Sequence, residues 1–332
     1  MFKTNSLVLL LLAFSINFTF AQFTDVINSN RPGQSMAAFS VGKTVFQTEM
    51  GFNYSEETYD EKKYQGEIWD ADLTLRYGVF FEQLELIANL DYLNETFDYG
   101  FPIGEIQESG LRKITLGGKF LVYDPERDYE KKPNLYSWKA NHQFNWRQFI
   151  PAVAFYGGVN LNLQKNRFLR PNVPPENDFS LKGMILTQNQ FGRYTFLTNI
   201  IIDRFPSQTN SLDYVVTMTR GFNSRLSGFV ELQGFTNVYY RNHLFRAGAA
   251  YLIWQNLQVD ASIGRSFQAS PSLVFGGIGF SWRFDANYSE IMLRVPKEDK
   301  RSKLDKKSDK IKDKKKEKEK KRLDAIEQDT SK

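Results

Sequence analysis

His142 and His243 are the only imidazoles in this 332-residue chain, which also has no cysteine. A histidine-dependent hydrolase needs a serine beside the ring and an amide or acid to orient it. At strand spacing these histidines are followed by Phe144 and Phe245, so no such triad is legible. Metal chemistry has as little to use. There are no paired histidines, and the acidic group Asp124, Asp128, Glu130 lacks the glycine turn of a calcium loop. No phosphate-binding loop follows a strand and opens a helix. The pairs Gly117-Gly118, Gly157-Gly158 and Gly276-Gly277 fall within strand-like segments, where they permit curvature or close packing. The expectation is a protein with no catalytic residue, no metal and no cofactor, and so not an enzyme.

The polar residues with a pattern are charged ones set in alternating segments. Glu49, Asp70, Asp72, Glu85, Asp91, Glu231 and Asp260, with Arg76, Lys119 and Arg246, each share a period-2 face opposite a run of apolar side chains. In a strand, successive side chains point to opposite faces. These ten residues would therefore line an interior if the opposite face met lipid. A basic residue facing lipid near the midplane would cost about 2–4 kcal/mol. Two readings stand for the ten: a salt-bridged lattice filling a narrow barrel, or the lining of a hydrated pore.

The elements that must position them follow from the same alternation. Phe46, Thr48, Met50, Phe52 and Tyr54 oppose Gln47, Glu49, Gly51 and Asn53. Trp69, Ala71, Leu73, Leu75 and Tyr77 oppose Asp70, Asp72, Thr74 and Arg76. The pattern recurs at 84–92, 114–122 and 153–163 and, less cleanly, at 181–190, 194–202, 212–220, 228–235, 245–253, 257–263 and 273–284, which makes twelve segments, with ten or fourteen strands as alternatives. The fold class this predicts is all-β, an antiparallel transmembrane β-barrel of about 12 strands. Short connectors (78–83, 190–193, 221–227, 254–256) alternate with longer polar ones (55–66, 94–110, 164–178), as expected of periplasmic turns and outer loops. Trp69 and Tyr77, roughly 20 Å apart along the membrane normal, are candidate interface girdle residues. Residues 124–150 interrupt the pattern, and they are expected to form an interfacial helix or short hairpin with Trp138 and Trp146 at the headgroups.

The ends differ from the middle. Lys3, the apolar run 7–14 and Thr19-Phe20-Ala21 have the layout of a secretory signal peptide, here assigned to residues 1–21. Residues 22–42 are expected to be a periplasmic segment, 43–284 the barrel in the bacterial outer membrane, and 285–332 a charged periplasmic tail. Residues 297–332 hold 16 Lys/Arg and 10 Asp/Glu, a net +6 against +5 for the whole chain. The basic character thus belongs to the tail, which excludes a nucleic-acid reading of the body. With almost no apolar residues, this Lys-rich tail should be disordered or transiently helical. Its candidate partner is an anionic periplasmic surface. The barrel's own partners would be outer-membrane lipid and a small-molecule solute.

Asn30-Arg31-Pro32-Gly33-Gln34-Ser35 precedes Val41-Gly42-Lys43-Thr44-Val45-Phe46-Gln47-Thr48-Glu49-Met50-Gly51-Phe52. With Leu75-Arg76-Tyr77-Gly78, Leu84-Glu85-Leu86 and Leu116-Gly117-Gly118-Lys119-Phe120, this order of motifs resembles a family of outer-membrane transporters named for the meta-pathway of phenol degradation. The resemblance spans residues 28–284, and the cleavage context with abundant Asn, Lys and Tyr looks like a Bacteroidetes protein. It implies a porin-like channel or transporter for small, including hydrophobic, molecules. The alternative is a non-transporting barrel that anchors or assembles something through its loops or tail.

Overall fold

The computed structural model describes residues 27, 29–59, 64–100, 104–125, 149–163, 177–238, 241–268 and 271–284. Twelve strands follow one another: β1 (Phe46–Tyr59), β2 (Tyr64–Gly78), β3 (Leu84–Asp98), β4 (Glu105–Tyr123), β5 (Ala152–Asn162) and β6 (Phe179–Phe191), then β7 (Tyr194–Phe205), β8 (Ser211–Gly221), β9 (Leu226–Thr236), β10 (Arg241–Trp254), β11 (Leu257–Ser266) and β12 (Ser272–Phe284). Each pairs antiparallel with its neighbours in sequence, and β1 pairs with β12 to close the barrel. Phe46 lies opposite Phe284, so both ends of the barrel meet at one rim, here called proximal. Closure leaves no open sheet edge, as a spanning sheet requires.

Strand parity decides what faces where. On β2 the outward residues are Trp69, Ala71, Leu73, Leu75 and Tyr77, and on β4 they are Ile114, Leu116, Gly118, Phe120 and Val122. Ile278 and Ile263, on neighbouring strands, are 63% and 66% exposed. A soluble monomer rarely exposes a contiguous apolar surface of this extent; a ring of acyl chains removes the cost. The interior is polar around β10–β2 and mixed around β5–β8, where Ala154, Tyr156, Leu186 and Val215 form an apolar cluster on strands that also bury Asn160, Asn199 and Asp213.

Two expectations are corrected. The connectors predicted at 55–66 and 94–110 are largely strand, because β1–β4 run 14, 15, 15 and 19 residues, well past the apolar band. A paired ladder satisfies the backbone whatever the side chains, so polar sequence alone does not end a strand. Residues 22–42 were expected outside the barrel. Residues 29–41 instead hydrogen-bond to inward-facing side chains of β1, β2, β3, β6, β9 and β12. The physical reason is that the inward carboxylates and amides need donors and acceptors, and this segment's unpaired backbone supplies them. Residues 1–21, expected to be a signal peptide, most of the 124–150 connector with Trp138 and Trp146, residues 164–176 and residues 285–332 lie outside the described residues.

Candidate functional site

Near the proximal rim, β1–β4 place four charged side chains in one water-excluded network. Gln47 lies opposite Arg76 across β1–β2, and Glu85 lies opposite Lys119 across β3–β4. Arg76 reaches diagonally to Glu49 at 2.8 Å on one side and diagonally to Glu85 on the other, while Lys119 Nζ is 3.1 Å from Glu85. All four residues are essentially fully buried. Charges this deep are tolerable only when paired and hydrogen-bonded. The spare donors and acceptors of the network are turned toward residues 37–41. Lys119 Nζ donates to the carbonyls of Ala37 and Phe39 at 3.0 and 2.9 Å, and Glu85 accepts the Val41 N–H at 3.1 Å.

Deeper in the lumen, four residues in register across β11, β12, β1 and β2 form a row: Asp260, Gly279, Gly51 and Asp72. Arg31 lies over it. Its Nη1 is 2.8 Å from Asp72 Oδ2, and its Nε is 3.5 Å from Asp260 Oδ2. A side chain on either glycine would occupy the space the guanidinium fills. Two glycines flanked by two aspartates thus make a notch for one arginine. Farther along, Glu231 accepts the N–H groups of Gln34 (2.9 Å) and Ser35 (3.3 Å) and the Thr217 hydroxyl (2.8 Å). Gly33 backs onto that carboxylate, where a Cβ would meet it at 2.6 Å. Gln188 Oε1 accepts the Ala38 N–H at 3.1 Å, and Glu49 accepts that of Asn30 at 3.3 Å. In this way side chains from around the wall replace the ladder that residues 29–41 lack.

The segment separates two cavities. A larger one of about 430 Å³ lies on its distal side, and a smaller one of about 130 Å³ opens toward the turns at Arg193 and Asn223. Asn30, Arg31, Gly33 and Ser35 line both.

All ten charged residues singled out by alternation are on inward positions, but they serve separate groups. Glu49, Arg76, Glu85 and Lys119 form one network; Asp72 and Asp260 meet through Arg31; Arg246 Nε stands 4.0 Å from Glu231. Asp91 approaches Lys113 at 3.7 Å, and Asp70 accepts from Asn53 at 2.9 Å. Trp69 and Tyr77 face outward, 59% and 45% exposed. His243 hydrogen-bonds Tyr214 at 3.2 Å through Nδ1. His142 lies outside the described residues, among which no cluster of three metal-ligating side chains occurs. Alternation missed Arg31, Arg112, Lys113, Lys182 and Asp203, all of which line the larger cavity. Lys182 shares parity with the buried Met184, so its inward position was available from the pattern. Arg31 lies on no strand and could not be found that way.

A barrel of twelve strands with a polar, partly filled interior and an apolar outer band is a transmembrane barrel. The chain belongs to the family described as "Putative MetA-pathway of phenol degradation", whose model matches residues 29–284. Among solved structures it is similar to an outer membrane channel from Pseudomonas putida F1 (11% identity, 77% of this chain and 100% of that one, TM-score 0.52). It also matches the transport unit of the autotransporter AIDA-I from Escherichia coli (9%, 80% and 95%, TM-score 0.43). A third match is the CymD monoaromatic hydrocarbon channel (8%, 73% and 89%, TM-score 0.40). No curated protein matches the chain.

Proposed function

We propose that this protein is an outer-membrane channel for small molecules, hydrophobic ones included, closed by its own residues 29–41. The observation that carries the reading is the Arg31 notch. A strand row has been cleared of side chains at Gly51 and Gly279 and flanked with Asp72 and Asp260, so that one residue of the segment can lock between two cavities. A barrel filled only for stability would gain as much from side chains at those two positions. The fold shared with the Pseudomonas barrel, itself an outer membrane channel, supports the same class. In this reading the proximal rim, where four of the five strand connectors are short and 124–151 is the exception, faces the periplasm. Residues 1–21 are a signal peptide removed on export, and the tail from 285 hangs on the periplasmic side. The ten charged residues serve partly as lattice and partly as seat for the segment, with no catalytic role.

Single-channel recording on refolded full-length protein tests it. Charge-assisted hydrogen bonds are worth about 1.5–3 kcal/mol each. Arg31→Ala should therefore raise the open probability by about tenfold or more. Gly279→Leu, which fills the guanidinium's space, should act in the same direction. If both variants, and a chain lacking residues 29–41, stay sealed in the bilayer, the channel reading is wrong.

A further inference from the structure

The larger cavity has two unlike walls. Met184, Ile201 and Val215 form an apolar face continuous with the interior core, and Arg112, Lys113 and Lys182 stand beside it. Lys182 and Met184 are two residues apart on β6, so both point inward. The ammonium of Lys113 interacts electrostatically with Lys182 and Arg112 and with the carboxylates of Asp203 and Asp91, which places three cations and two acids in one neighbourhood.

Net charge does not choose a ligand here, because acidic and basic side chains line the cavity in equal number. Hydrogen-bonding capacity does. Asp203 accepts from Asn160 at 2.7 Å and from the Arg204 N–H at 2.9 Å. Asp213 accepts from Ser211 at 3.0 Å and the Thr236 N–H at 3.4 Å, and Asp70 from Asn53. These three acids accept from neutral protein donors, and Asp203 also lies in the field of Lys182 and Lys113. Among the cations, Arg31, Lys113 and Arg246 face carboxylates, whereas Arg112 and Lys182 keep open donors. Arg112 Nε is buried without an acceptor, and among the described residues neither the Arg112 nor the Lys182 side chain has a hydrogen bond or an ion pair within 4.0 Å. A guanidinium offers five N–H donors and an ammonium three. The cavity therefore presents surplus donors next to an apolar face, and its volume lies in the range of small-molecule sites.

We propose that this cavity binds small amphipathic carboxylates, with the carboxylate held by Arg112 and Lys182 and the apolar body laid against Met184, Ile201 and Val215. The proposal names the solute class of the lumen already read as a channel and rests on that reading. A neutral molecule of the same shape gains the apolar contacts but leaves the donors unfilled, and an ammonium analogue adds repulsion.

Isothermal titration of the refolded full chain with benzoate, benzyl alcohol and benzylamine decides it. Benzoate should bind at least about tenfold more tightly than benzyl alcohol, since hydrogen bonds to a charged group are at stake. Lys182→Gln and Arg112→Gln should each bring benzoate to the level of benzyl alcohol, and Lys182→Arg should retain most of the preference. Heat-modifiable mobility identifies variants that have refolded, and the wild-type comparison of the three probes needs no variant at all. Equal binding of benzyl alcohol, or no benzoate binding, overturns the proposal. Conductance without benzoate binding would do so while leaving the channel reading intact. Selective benzoate binding in a barrel that stays sealed without residues 29–41 would support the site and reject the channel.

Discussion

Arg76 poses a folding problem before it poses a functional one. It is fully buried, and its guanidinium joins Glu49 to Glu85 while Lys119 completes the group. Removing one partner of a buried pair leaves an uncompensated charge in a medium of low dielectric constant, at a cost of about 3–5 kcal/mol. Arg76→Met should lose about that much stability in urea titrations of micelle-refolded protein. Adding Glu49→Gln to it should return part of the loss. A loss below about 1 kcal/mol would mean that water reaches the group and that the pairs behave as exposed ones. At this scale the sequence was legible wherever a charged residue sat in a clean alternating strand, as Glu49, Arg76 and Glu85 do. It was illegible where position depends on the closed barrel. Arg31 belongs to no strand, and its partners Asp72 and Asp260 are distant in sequence and become neighbours of one notch only when β12 closes on β1.

The elements show a related limit. All twelve strands coincide with segments of alternating sequence, because the lipid-facing half of each strand must be apolar. Beyond the apolar band that constraint ends, and the extensions of β1–β4 are written in polar residues that resemble loops. An aromatic cluster stands in for the missing apolar pattern there. Tyr64 packs on Tyr59 (5.3 Å between centroids), Phe97 (5.8 Å) and Tyr99 (5.6 Å), and its hydroxyl donates to Glu57 at 3.0 Å. Tyr64 and Phe97 are buried despite lying near the strand ends. Aromatic pairs contribute about 0.5–1.5 kcal/mol beyond their area. Tyr64→Ala should therefore speed amide hydrogen exchange in residues 55–59 and 64–68 by about tenfold. Exchange around residues 46–50 and 73–77, inside the apolar band, should not change. Equal acceleration in both regions would show that the extensions and the barrel open as one unit.

For the whole molecule, closure and filling are separate problems solved by separate parts of the chain. The pairing of Phe46 with Phe284 completes the ladder, so no residue beyond 284 is needed to close the barrel. Residues 29–41 satisfy the inward carboxylates Glu49, Glu85 and Glu231 from within. The charge of the chain divides in the same way: residues 297–332 carry a net +6, more than the +5 of the whole. Ladder closure and lumen filling therefore both lie within residues 29–284, whereas the excess positive charge lies in residues 297–332. Deleting residues 297–332 should leave heat-modifiable mobility and single-channel conductance unchanged, including the increase expected from Arg31→Ala. The deletion should instead weaken attachment of the refolded protein to anionic surfaces, measured as co-sedimentation with vesicles rich in anionic lipid at low salt, where each basic residue near such a surface contributes about 1 kcal/mol. If conductance vanishes while mobility is kept, the tail takes part in conduction and the division between barrel and tail is wrong. If vesicle attachment is unchanged, the excess positive charge of the tail serves solubility alone.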